Sequence, residues 1–181
     1  MQFDPQSGWC TGISHCPSDN FNERPDGEIS LLVIHNISLP PGQFSTGQVQ
    51  ALFQNRLDPQ AHPYFAGIAG LRVSAHFLIE RDGRLWQFVS CLQRAWHAGV
   101  SCFAGREGCN DFSLGIELEG TDDLPFSEAQ YNQLTSLTRL LRQHYPAISL
   151  ERIVGHSDIA PGRKTDPGPY FDWQRYRASL V

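Results

Sequence analysis

The chain has no run of basic residues, and its formal net charge is −5. A polyanion would find nothing to grip, which excludes nucleic acid and anionic membrane surfaces as partners. No uninterrupted apolar stretch is long enough to span a bilayer. The opening residues, MQFDPQSGWCTGISHC, lack a basic start followed by an apolar segment, which predicts a cytoplasmic protein. The five cysteines, Cys10, Cys16, Cys91, Cys102 and Cys109, are odd in number and nowhere spaced CxxC. That spacing excludes a disulfide framework and a thiolate zinc knuckle, and predicts free, mostly buried thiols. Nor is there an HExxH pattern, which removes the helix-borne type of zinc protease.

What is present suits one domain. The chain has 181 residues, 40% hydrophobic and 18% charged, enough for one proper core. Residues 1–28 are rich in Pro, Asn, Ser and Gly without a sustained period, and read as an extended lead-in packed on a domain of residues 29–181. The apolar run Ile29 to Ile34 predicts a strand buried on both faces, ending at His35-Asn36. Thr46 is placed to cap a helix over Gly47 to Leu57, with Val49, Leu52, Phe53 and Leu57 on one face. Asp58 to Leu71 predicts a long loop with a short helical turn, and His62 beside Pro63 reads as a turn residue. Val73 to Glu80 alternates, Arg81-Asp82-Gly83 turns, and Leu85 to Val89 returns, which predicts a hairpin with His76 as a structural histidine. Phe126 to Tyr145 is the clearest helix: Ser127 caps it, Gln130 completes a capping box, and Tyr131, Leu134, Leu137, Thr138 and Leu141 form its core stripe. Asp172 caps a last short helix that docks Trp173, Tyr176 and Leu180.

The chemistry concentrates in Ile153 to Tyr170, IVGHSDIAPGRKTDPGPY. Its glycines and prolines stop any regular element from running through its middle, yet it carries His156, Asp158, Arg163, Lys164 and Asp166. Imidazole nitrogen and carboxylate oxygen are ligands that zinc accepts, and a catalytic zinc takes three protein ligands and leaves a fourth position open. His156 with Asp166, or with Asp158 in an H-x-D arrangement, supplies two. His35, at the end of a buried strand, is the candidate third. Ser113 to Gly120 alternates so that Leu114, Ile116 and Leu118 face the core, while Glu117 and Glu119 share the other face. Two carboxylates so placed call for a metal or a lysine, and Lys164 is available. Trp96 and His97 lie in the irregular segment RAWHAG, which either lines a sugar or peptide groove or plugs the sheet's edge.

The stretches LLVIHNISLPPG, HPYFAGI, RVSAHFLIERDG, RAWHAGVS, NDFSLGIELEGTD and GHSDIAPGRKTDPGP together resemble the zinc N-acetylmuramoyl-L-alanine amidases. This is the family shared with phage lysozyme-amidases and peptidoglycan recognition proteins, and within it the chain is most similar to the cytosolic amidases of cell-wall recycling. The resemblance covers nearly all of the chain beyond the lead-in. It implies a single α/β domain with a central mixed β-sheet flanked by helices, and a zinc ion held by His35, His156 and Asp166. It implies Glu117, rather than Glu119, as the group that moves protons, with Lys164 as its catalytic partner. It also implies Asn36, Arg72, Trp96 and Arg163 beside a bound muropeptide. Where some relatives read Glu-Arg-Lys, this chain reads Gly162-Arg163-Lys164 and keeps both cations. The implied reaction is hydrolysis of the amide between a muramic-acid lactyl carbonyl and L-alanine in a small-molecule muropeptide, and nothing in the sequence suggests more than a monomer. The alternatives are a binding-only module on the same fold and an amidase acting on intact murein.

Overall fold

The structure is a computed structural model that describes residues 1–181. Six strands form the central sheet: β1 (Ser14–His15), β2 (Leu31–Ile37), β3 (Phe77–Ile79), β4 (Leu85–Gln87), β5 (Ser113–Glu119) and β6 (Ile153–Gly155), in the order β6-β2-β5-β3-β4-β1. β6, β2, β5 and β3 are mutually parallel, while β4 runs antiparallel to β3 and carries β1 parallel to itself. The sheet is therefore mixed, as the resemblance implied.

Side chains alternate across each strand, and the apolar residues divide accordingly. Leu32 and Ile34 of β2 pack with Leu114, Ile116 and Leu118 of β5 and with Phe77 and Ile79 of β3. That face is covered by helix α2 (Glu128–His144) through Leu134, Leu137 and Leu141. Each leucine taken wholly out of water contributes about 1.5–3 kcal/mol. Leu31 and Val33 face the opposite way, with Val154, Phe112 and Ile159. His35 continues that second face at the strand's C-terminal end.

Locally encoded elements match expectation closely. Ser127 accepts from the Gln130 N–H and Gln130 reaches back to the Ser127 N–H, so α2 has its capping box. Phe171 packs against both Phe126 and Tyr131, its ring 5.6 Å and 5.4 Å from theirs. Asp172 caps the helix Trp173–Ala178, and Tyr176 and Leu180 are buried. His62 caps a short helical turn at Pro63–Gly67 by accepting from the Tyr64 N–H. All five cysteines are free; Cys10, Cys91 and Cys109 are buried and Cys102 is exposed.

Three boundaries differ. β2 runs on through His35 and Asn36 to Ile37, because β5 pairs with it along its full length. Helix α1 spans only Gln48–Phe53: Gly47, with φ 75°, takes the N-cap position instead of Thr46, and Asn55 adopts a left-handed backbone at φ 60°. Val73 to His76 is not strand; the Ser74 N–H bonds the Trp96 carbonyl, and regular pairing begins at Phe77. Residues 1–28 hold a small hairpin (Gln2–Asp4 with Trp9–Thr11), the edge strand β1, and a segment, Phe21–Glu23, paired with Gln93–Ala95.

Candidate functional site

Parallel register brings the candidate ligands together. His35 of β2 lies directly beside Glu117 of β5, and partners at one register position point to the same face. On the other side of β2, Gly155 of β6 lies beside Ile34, and His156 follows as the first residue of the one-turn helix α3 (His156–Ile159). The chain then turns through Pro161 to Arg163, with the Lys164 N–H on the Ala160 carbonyl, and returns so that the Ser157 N–H bonds the Asp166 carbonyl at 2.9 Å. The return is close enough that a Cβ on Gly155 would sit 2.8 Å from Cδ of Pro167. Glycine at 155 is what lets Asp166 approach His156.

The three donor atoms form a nearly equilateral triangle. His35 Nδ1 is 3.0 Å from His156 Nδ1, and each is 3.1 Å from Asp166 Oδ2. Ligand atoms on a tetrahedral zinc, about 2.0–2.1 Å from the ion, lie about 3.3 Å from one another. The other ring nitrogen of His156 lies 3.0 Å from the Ala98 carbonyl, which can only accept, so Nε2 carries the proton and Nδ1 presents its lone pair to the triangle. His35 is fully buried, and burial pulls its pKa down to about 4, so the ring is neutral at pH 7. Burial alone would raise the Asp166 pKa, but its bonds to His156 and His35 outweigh it and hold the carboxyl below the usual range. Two neutral imidazoles and one carboxylate, converging at this separation, fit a zinc ion.

Glu117 lies on the same face in a markedly different state. Its Oε2 is buried without a hydrogen-bond partner. Burial first, and the Asp166 charge second, push its pKa well above the usual 4.5, against a smaller opposing effect of Lys164. Glu119 has no such vacancy: its two oxygens accept from the Ser45 and Arg81 backbone N–H groups. The face shared by the two glutamates in sequence thus divides into one unsatisfied carboxyl and one structural carboxyl. Lys164 does not pair with either; it is exposed, forms no salt bridge, and lines the same cleft as Glu117.

That cleft has a volume of about 960 Å³ and is lined by the three ligand candidates, Glu117, Lys164 and Trp96 among others. Tyr64, Leu71 and Leu124 give it an exposed apolar rim. Asn36 and Arg163 also reach it, Asn36 with its Nδ2 engaged and Arg163 tied down through Nη2. Asn36 Nδ2 bonds Asp122 Oδ1 and the Pro167 carbonyl at 2.7 Å and 3.0 Å. Arg163 donates to the Ala98 and Val100 carbonyls, each at 2.6 Å. Trp96 ties its indole N–H to Asn22 at 2.7 Å. Arg72 is exposed and stands outside the cleft lining, although its neighbours Leu71 and Val73 belong to it.

Asp158, the H-x-D alternative, turns away from the triangle and accepts from the Gly155 N–H at 2.7 Å, securing the start of α3. The Asp158→Ala protein is therefore expected to lose about 0.5–2 kcal/mol of stability. It should keep its full zinc content. Thermal unfolding together with elemental analysis checks both; a loss of metal would return Asp158 to the ligand set.

The sequence leaves His97 open between lining a groove and plugging the sheet's edge; it lines the cleft, and its Nδ1 is 2.9 Å from His35 Nε2. A signal for it existed in Gly115, which sits two residues before Glu117 on the same strand face and leaves a gap that another side chain must fill. His97 fills it, and a Cβ on Gly115 would lie 2.5 Å from its ring. His76 is structural as expected: its Nδ1 accepts from the Gly115 N–H and its Nε2 donates to the Gln93 carbonyl.

Comparison with known proteins bears on the family and the fold. The profile of the family described as N-acetylmuramoyl-L-alanine amidase matches residues 25–169. The 1,6-anhydro-N-acetylmuramyl-L-alanine amidase AmpD of Escherichia coli K12 is 58% identical over 173 residues, covering 95% of this chain and 94% of that one. A crystal structure of a selenomethionine AmpD derivative matches with a TM-score of 0.96 at 56% identity, covering 100% of both chains. The E. coli amidase AmiD, solved with the substrate anhydro-N-acetylmuramic acid-L-Ala-D-γ-Glu-L-Lys, matches with a TM-score of 0.64 at 31% identity, covering 84% of this chain and 58% of that one.

Proposed function

The chain belongs to the N-acetylmuramoyl-L-alanine amidase family, and on that footing we propose that it is a zinc-dependent amidase of cytosolic peptidoglycan recycling. It hydrolyses the amide joining the lactyl group of (anhydro-)N-acetylmuramic acid to the L-alanine of the stem peptide. The observation that carries this reading is the meeting of the His35, His156 and Asp166 donor atoms, 3.0–3.1 Å apart, in one cleft with the unpartnered Oε2 of Glu117. Identity of 58% over nearly the full length of a 1,6-anhydro-N-acetylmuramyl-L-alanine amidase supports the substrate class.

His35, His156 and Asp166 would hold the zinc. When bound, the ion supplies Lewis acidity, lowering the pKa of water to about 7 and polarising a carbonyl. Glu117 accepts the proton of the attacking water at Oε2 and then delivers one to the departing alanine nitrogen. The ionised form needed for the first step is favoured by the charge of Lys164, and a bound cation would add to that effect. Lys164, exposed at the cleft, is the cation that would stabilise the carbonyl oxygen as it gains charge. Trp96 offers an aromatic wall to the sugar, while Asn36 and Arg163 shape the cleft through the bonds they already make; Arg72 is left to contact only a substrate that extends past the rim. The protein on this reading is a monomer that meets a small muropeptide substrate in the cytosol; no helix is long and apolar enough to cross a membrane.

The test is to incubate zinc-loaded protein separately with an anhydromuropeptide and with intact sacculi, following free stem peptide by mass spectrometry. Release from the anhydromuropeptide is expected. Release from sacculi alone would replace the recycling role with one on intact murein, and binding without release would leave a recognition module.

A further inference from the structure

The segment Trp96–Val100 touches both histidine ligand candidates from behind. His156 Nε2 donates to the Ala98 carbonyl, and His35 Nε2 meets His97 Nδ1. The segment is itself pinned: Asn110 Oδ1 accepts from both the His97 and the Ala98 N–H, and Arg163 holds the Ala98 and Val100 carbonyls. The far nitrogen of His97 lies 3.1 Å from Ser113 Oγ. The His97 ring is confined between His35, at 5.0 Å between centroids and nearly perpendicular, and His76, at 5.8 Å.

A chain of imidazole, imidazole and hydroxyl can carry its hydrogen bonds in either direction. Run one way, Ser113 donates to His97, His97 donates to His35 Nε2, and His35 must hold its proton on Nδ1, where it blocks the metal. In the other direction, His35 donates from Nε2 to His97 Nδ1, His97 donates from Nε2 to Ser113, and the His35 Nδ1 lone pair is free. The backbone imposes this choice on His156, because a carbonyl accepts only. For His35 the choice falls to a side chain.

We propose that His97 is a positioning residue of the metal site, accepting the Nε2 proton of His35 and so holding that ring in the tautomer and orientation that presents Nδ1 to zinc. The proposal rests on the zinc reading above. Outer-shell partners of this kind are worth roughly 10–100-fold in metal affinity.

The test compares His97→Ala and His97→Asn in the full chain. Asn places a carbonyl oxygen close to the Nδ1 position and so restores the acceptor without the ring; Ala removes both. Zinc affinity is measured by competition with a chromophoric chelator, and thermal unfolding in excess EDTA reports folding separately. In the zinc-loaded proteins, NMR follows the His35 Nε2 proton, which a structural role alone would not move. The expected result is zinc bound about 10–100-fold more weakly by His97→Ala, affinity close to wild type in His97→Asn, and the His35 Nε2 proton exchanging rapidly with solvent only in the alanine variant. Equal zinc affinity in His97→Ala and wild type overturns the proposal, as does an asparagine variant no better than alanine, since bulk and not the acceptor would then matter. Wild-type protein that takes up no zinc overturns the zinc reading as well, which separates the two failures.

Discussion

Glu117→Gln protein is expected to keep its zinc and lose about 10²–10⁴-fold in turnover, the usual worth of a positioned general base. Glutamine preserves shape and cannot take the proton. The same substitution is expected to stabilise the metal-free protein at neutral pH, because the wild-type side chain buries a carboxyl oxygen that no protein group satisfies. Burial raises the Glu117 pKa in the folded protein above its unfolded value near 4.5. The folded state therefore binds the proton more tightly, and wild-type stability falls as pH rises past the unfolded value. Glutamine has no such dependence. The gap in unfolding temperature between Glu117→Gln and wild type, both in EDTA, should be widest near pH 7 and close as the pH drops below about 4.5. Elemental analysis and steady-state kinetics on anhydromuropeptide complete the measurement; a fully active variant would remove Glu117 from the chemistry.

His156→Ala is expected to lose both metal and turnover. It takes one of three donors from the triangle, where His156 Nδ1 meets His35 and Asp166 at 3.0 Å and 3.1 Å. The loss should exceed the roughly 10–100-fold that an outer-shell partner costs. The Ala98 carbonyl left behind keeps its bond from Arg163, so no buried acceptor is stranded and the fold should survive with a modest loss in unfolding temperature. Equilibrium dialysis with zinc, followed by activity at saturating substrate, distinguishes the two variants. Glu117→Gln is metal-replete and inactive, and His156→Ala is metal-poor and inactive. A zinc-replete His156→Ala protein would break the ligand assignment.

How legible each element was follows from how local its determinants are. The α2 cap and stripe lie within one turn and one face of a single helix, and both read correctly from Ser127 to Leu141. The extent of β2 did not, because His35 and Asn36 look like the end of an apolar run until β5 is known to pair beyond them. Val73 to His76 alternates as a strand would, yet Ala75 packs with Leu78 rather than with Phe77 and Ile79. Alternation of residue types does not report whether a neighbouring strand is present. Glu117 and Glu119 were equivalent by spacing, and they part only because two backbone N–H groups, from Ser45 and Arg81, reach one of them. His97 was visible as a residue and invisible as a contact.

By itself the sequence determined the kinds of atom on offer and the local shapes that carry them: two imidazoles that follow short apolar runs, a carboxylate on a proline-stiffened loop, and a glutamate alternating with core aliphatic residues. Only the tertiary structure decided which of these meet. His35 is 121 positions from His156 and 131 from Asp166, and their meeting depends on the parallel register of β6, β2 and β5. Such register is set by hydrogen bonds and packing between distant segments, which no short stretch of chain encodes. The same is true of the bonds that occupy Asp158, Glu119 and Asn36, and of the vacancy left at Glu117.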